Sequence, residues 1–183
     1  MATRKIAVIV GSLRADSFTR KVAKTLMLLA PPTLEMEIVQ IGKLPLYNQD
    51  EDASPPPTFT EFRSRIKDMD GVLFCTPEYN RSVPGVLKNA IDIGSRPYGH
   101  SVWQGKPCGV VSVSPGALGA FGANHHLRQS LVFLNMPCMQ QPEAYLGGVA
   151  DKFDGDDLRD EGTRKFLQGY IDAFATWVER HAD

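Results

Sequence analysis

Ser12, Arg14, Ser17 and Thr19 place three hydroxyls and one guanidinium within eight residues, directly after Gly11. The apolar run Ile6–Val10 precedes them and a helical pattern follows, so they occupy a strand-to-helix turn, Gly11–Ser17. At a helix amino terminus the first N–H groups lack intrahelical partners and favour an anion. Arg14 can add charge-assisted bonds. This donor set suits the terminal phosphate of a mononucleotide. A plainer reading is a loop in which Ser17 merely caps the helix. The turn has neither the Gly-Lys-Ser/Thr of a triphosphate loop nor the Gly-x-Gly-x-x-Gly of a dinucleotide site.

Two further loops carry unusual chemistry. Thr76–Ser82 contains Pro77, Glu78, Tyr79 and Asn80. Pro77 stiffens it, the backbone of Glu78, Tyr79 and Asn80 can meet the polar edge of a heterocycle, and the Tyr79 ring can pack nearby. In Ser112–Gly122, Ser112, Ser114 and Gly116 can close the opposite side, because glycines let a backbone approach a ligand. A flat redox ring such as a flavin needs this combination. Ordinary turn residues around a solvated Glu78 would read the same way, and the residues alone leave both open. Arg81 and Arg96 are candidates for a pyridine-nucleotide phosphate or an oxyanion, or else surface charges. The adjacent His125 and His126 cannot face one way on a helix, which argues against a joint metal site.

These loops need elements to position them. Strand patterns cover Lys5–Val10, Met36–Ile41, Val72–Cys75 and Cys108–Val113, with a short fifth strand expected near Met136–Gln140. Between them lie helical stripes: Phe18, Val22, Leu26 and Leu29; Phe59, Phe62 and Ile66; Val83, Leu87 and Ile91; Leu127, Leu131 and Leu134. Leu167, Tyr170, Phe174 and Trp177 mark a last helix. Three of the strands are continuous apolar runs, the pattern of a parallel sheet covered on both faces. Such a sheet binds ligands beyond the carboxyl ends of its strands, where all three loops lie. The proline- and acid-rich stretch Gly42–Pro57 is long for a structureless loop and calls for a functional or interfacial reason.

The 183 residues fit one domain spanning 1–183. With 43% apolar and 22% charged residues the composition is that of a folded globule, not a disordered chain. A formal net charge of -1 gives no support for nucleic-acid binding. No apolar stretch approaches a membrane span, and a cytoplasmic protein is expected. Cys75, Cys108 and Cys138 lack metal-type spacing and read as buried small hydrophobes.

The strings GSLRADSFTR at 11–20, LFCTPEYNRSVPGVLKNAIDIGSRP at 73–97 and SPGALGAFGANHHLRQSLVFLNMP at 114–137 resemble the NADPH-dependent FMN reductase family, whose bacterial members include chromate and quinone reductases. The resemblance covers nearly the whole chain. It implies an α/β, flavodoxin-like three-layer sandwich with a five-stranded parallel sheet in the order 2-1-3-4-5. It also implies non-covalent FMN, NADPH or NADH as donor, and a homo-oligomer, dimer or tetramer. Matching positions would put Ser12, Arg14, Ser17 and Thr19 on the phosphate, Thr19 standing where asparagine is common. Pro77, Glu78, Tyr79 and Asn80 would line the isoalloxazine, with the loop from Ser112 to Gly119 opposite. His125 stands where related chromate reductases often have tyrosine. The implied reaction is ping-pong: NAD(P)H reduces the flavin, leaves, and a quinone, or chromate, enters the same space. The rival is an electron-transfer flavodoxin serving protein partners, but such carriers are typically far more acidic.

Overall fold

A computed structural model describes residues 3–182. Five parallel strands form one sheet: β1 (Arg4–Val10), β2 (Leu34–Ile38), β3 (Gly71–Thr76), β4 (Cys108–Val113) and β5 (Ala144–Leu146). Their order is β2-β1-β3-β4-β5, as expected. Five helices connect and cover them: α1 (Phe18–Leu29), α2 (Pro57–Lys67), α3 (Gly85–Gly94), α4 (Phe121–Phe133) and α5 (Glu161–His181). Every residue of β3 and β4 is buried, which is why those segments read as unbroken apolar runs.

The two faces carry separate cores. On one, Val22 and Leu26 of α1 meet Leu167, Tyr170 and Phe174 of α5 over Val8, Leu73 and Val111. On the other, α2, α3 and α4 contribute Phe59, Ile66, Leu87 and Leu127 over Ile9, Phe74 and Val110. Burying each such large side chain contributes about 1.5–3 kcal/mol. The result is the three-layer sandwich, with the strand-to-helix turns together along one end of the sheet.

Three details depart from the sequence expectation. Met136–Gln140 is not the fifth strand. Met136 and Met139 are buried, but only Cys138 pairs there, as a single bridge beside Cys108. The strand is Ala144–Leu146, only three residues long, too short to leave a pattern. β2 starts and ends earlier than Met36–Ile41, although the Val39 N–H still donates to the Val8 carbonyl at 3.1 Å. Finally, a small antiparallel hairpin, β6 (Phe153–Asp154) and β7 (Asp157–Leu158), precedes α5.

Candidate functional site

The Gly11–Ser17 turn leaves β1 beside β3. The Gly11 N–H donates to the Cys75 carbonyl at 2.8 Å. A Cβ on Gly11 would lie 3.1 Å from Leu87 and 3.3 Å from Pro77, so glycine permits the close contact between the first and second loops. Ser17 does cap α1: its Oγ accepts the Arg20 N–H at 3.2 Å. A hydroxyl that accepts there can still donate outward.

Ser12 and Thr19 are nearly buried, at 4% and 3% exposure. Among the described residues neither hydroxyl has a hydrogen-bond partner, and the exposed Arg14 guanidinium forms no hydrogen bond either. Their hydroxyl oxygens still reach the surface, so both are available to a partner from outside. With the open N–H groups of α1 they fit a phosphate monoester, the group that FMN would present.

The second loop is a tight reversal. Tyr79 and Ser82 exchange backbone hydrogen bonds at 3.1 and 3.0 Å, and Asn80 and Arg81 between them have φ of 51° and 65°. Two left-handed central residues define a type I′ turn, which asparagine tolerates and arginine occupies at some strain. It leaves the Tyr79 ring about half exposed. The Glu78 side chain turns back: its Oε2 accepts the Ala123 N–H at 3.0 Å, and its Oε1 lies 3.6 Å from the Arg81 guanidinium. Ala120 provides no side-chain cap for α4, so Glu78 supplies one from another loop. This carboxylate is a clamp rather than a solvated charge.

The third loop is pinned to the sheet edge. Ser114 donates its N–H to the Leu146 carbonyl at 2.9 Å, and its Oγ accepts from the Gly116 N–H at 3.0 Å. Gly119 has φ of 58°, and a Cβ there would fall 2.6 Å from the Tyr145 backbone, so glycine is required. Ser112 faces inward instead. It is fully buried, donates to the Gly119 and Ala144 carbonyls at 2.7 and 3.2 Å, and accepts from Asn124 at 3.1 Å. Its hydroxyl holds the loop in place and does not reach a ligand.

Asn124, which the sequence reading passed over, is fully buried and accepts from Arg128 Nε at 2.8 Å. It links α4 to both the loop and β5. His125 and His126 part company as helix geometry requires. His126 Nδ1 lies 3.0 Å from Ser82 Oγ, and His125 Nε2 lies 3.1 Å from the Tyr145 hydroxyl. His125 also packs on Phe121, centroids 4.2 Å apart. Burial, helped by Glu143, pushes the Tyr145 hydroxyl up to about 12.

The first, second and third loops thus meet at the carboxyl ends of three adjacent strands, with Leu13, Tyr79, Leu118 and Phe121 as exposed apolar surface around them. Arg81 belongs to this end; Arg96 does not. It follows α3, a ten-residue helix about 15 Å long, and its guanidinium sits 6.0 Å from the Tyr47 ring centroid. A groove of about 460 Å³ lies elsewhere, lined by Arg4, Thr33, Leu34, Asp172 and Glu179. It contains none of the loop residues.

A five-stranded parallel sheet in this order, covered by helices on both faces, defines a protein of the flavodoxin-like class. Within that class the chain belongs to the NADPH-dependent FMN reductase family, which residues 4–151 match. It is 63% identical to a quinone reductase of Pseudomonas putida over 175 residues, 95% of this chain and 94% of the relative. It is 48% identical to a 2-hydroxy-1,4-benzoquinone reductase of a Burkholderia species over 95% of this chain and 96% of that one. Among solved structures, the flavoenzyme NAD(P)H:(acceptor) oxidoreductase FerB of Paracoccus denitrificans matches with a TM-score of 0.93 and 45% identity, covering 99% of this chain and 100% of that one.

Proposed function

We propose that this chain is an FMN-dependent NAD(P)H:quinone oxidoreductase. The observation that carries the reading is the set formed by the Ser12 and Thr19 hydroxyls and the exposed Arg14 guanidinium at the mouth of a helix, none of which forms a hydrogen bond among the described residues. Quinone as acceptor rests on the likeness to quinone reductases at 63% and 48% identity. Bound FMN would supply two-electron exchange with the nicotinamide and then with the quinone.

The protein's share is to bind and orient. Ser12, Arg14, Ser17 and Thr19 hold the phosphate; the backbone of Pro77–Asn80 meets the ring edge; Ser114 and Gly116 approach from the other side. Ser112 and Glu78 fix those loops from behind. Arg81 is placed to meet an anionic substrate group at the rim, whereas Arg96 is left as a surface contact of the Gly42–Pro57 segment. A near-neutral chain suits small acceptors rather than a basic protein partner, and family membership favours the enzyme over the electron carrier.

The same reading extends to chromate as a second acceptor, to a cytoplasmic protein, and to a homo-oligomer. Three free cysteines fit a reducing compartment, and no helix among the described residues is long and apolar enough to cross a membrane. Val132 and Phe133 stand out on α4 at 74% and 87% exposure, an apolar surface that a second copy would cover. The test is direct. Purified protein should be yellow, release FMN on denaturation, and oxidise NADPH or NADH rapidly with 1,4-benzoquinone. Released FAD, or no nicotinamide oxidation with quinone present, would overturn the assignment.

A further inference from the structure

Asp16 is an awkward residue in a phosphate-binding turn. Its carboxylate lies two residues from Arg14 and one from Ser17, close enough to Arg14 for the guanidinium to act on it electrostatically. Left free, it would repel a phosphate dianion and compete for the arginine meant to bind it. It is not left free. Lys21 Nζ meets Asp16 Oδ1 at 2.5 Å.

Lys21 is itself held. Its ammonium donates to the Gly155 carbonyl at 2.8 Å, lies 3.8 Å from Asp156 and sits 5.4 Å from the Phe18 ring centroid, with only 11% of the side chain exposed. Gly155 and Asp156 form the tip of the β6–β7 hairpin, and Phe153 at its base faces Phe18 across 6.5 Å. The hairpin lies beyond the residues that match the family, which end at 151.

We propose that Lys21, fixed by the β6–β7 hairpin, is a positioning residue for FMN: by pairing with Asp16 it engages the carboxylate that would otherwise compete for Arg14, and so keeps the turn open to the phosphate. The inference rests on the phosphate reading of that turn and adds a device that reading does not contain. Lys21 touches no ligand atom; it acts through Asp16.

The test uses the full chain stripped of flavin and titrated with FMN or riboflavin, which share a ring and differ in the phosphate. Lys21→Met should raise the FMN dissociation constant about three- to tenfold at low salt, leave riboflavin affinity unchanged, and lose part of its effect as salt screens the turn. Adding Asp16→Asn to Lys21→Met should restore most of the FMN affinity, and Asp16→Asn alone should bind FMN at least as tightly as the parent. Unchanged FMN affinity in Lys21→Met, equal losses for both flavins, or failure of Asp16→Asn to rescue would each overturn the proposal. The underlying reading fails separately: Arg14→Ala would then leave the preference for FMN over riboflavin intact.

Discussion

The Glu78 carboxylate accepts a hydrogen bond from the Ala123 N–H at 3.0 Å, joining the second loop to the first turn of α4, 45 positions further along the chain. The bond caps a helix that has no cap of its own, and it fixes the spacing of the two loops that would face a bound ring. Glu78→Ala should therefore cost about 0.5–2 kcal/mol of stability, the range for losing a helix cap. It should also weaken FMN and riboflavin equally, because the ring and not the phosphate loses its support. Glu78→Gln should recover much of both. Flavin fluorescence titration and chemical denaturation read the two effects; a loss confined to FMN would contradict the clamp.

Arg14 makes the opposite prediction. It is exposed and forms no hydrogen bond with the described residues, so Arg14→Ala should leave the melting temperature almost unmoved. FMN affinity should fall about ten- to a hundredfold, as expected for one charge-assisted contact. Riboflavin affinity should stay as it was. Isothermal titration of the flavin-stripped protein separates these outcomes.

Gly94 and Gly169 should respond to alanine with opposite signs. A Cβ on Gly94 would fall 2.4 Å from Trp103 Nε1, on a fully buried indole that donates to the Ile91 carbonyl at 2.9 Å. Gly94→Ala must displace that ring and should destabilise by about 2–4 kcal/mol. Gly169 lies within α5 with nothing within 4 Å of its Cβ position. Gly169→Ala should stabilise by about 0.5–1 kcal/mol through helix propensity. Denaturant midpoints at unchanged slope would check both.

Asp160 caps α5 by accepting the Thr163 N–H at 2.7 Å. Hydrogen bonds from Thr163, then attraction to Lys152, hold its carboxyl below the ordinary 3.8. A depressed folded-state value means that the stabilisation is complete above the unfolded value and lost as pH falls through the folded one. Asp160→Asn keeps an acceptor without the charge. Its melting temperature should lie below the parent's near neutrality, and the gap should close below about pH 4. A gap that persists into acid would show that the charge was not the stabilising element.

Much of this architecture was legible in the residues. β1, β3 and β4 are buried on both faces, so their apolar runs announced themselves. Loops that sit at strand ends carried their chemistry in plain types: hydroxyls, an arginine, a proline beside a tyrosine. β5 was not legible, because a strand of three residues, Ala144–Leu146, leaves no periodicity, while the buried Met136 and Met139 nearby mimicked a strand. The β6–β7 hairpin had one available signal, the Gly155-Asp156 pair at its turn. Asn124 had none: a buried asparagine spent on Ser112 and a carbonyl looks, in sequence, like any polar helix residue. Gly94 read as a weak helix end, whereas its necessity comes from an indole nine residues later.

The loop from Ser114 to Gly122 is tied to β4 by the Ser112 hydroxyl at Gly119 and to β5 by the Ser114 N–H at Leu146, while Glu78 holds the first turn of α4 that follows it. A ledge so fastened should keep its outline from one flat oxidant to the next. Rates with a series of quinones should then follow their reduction potentials more closely than their shapes.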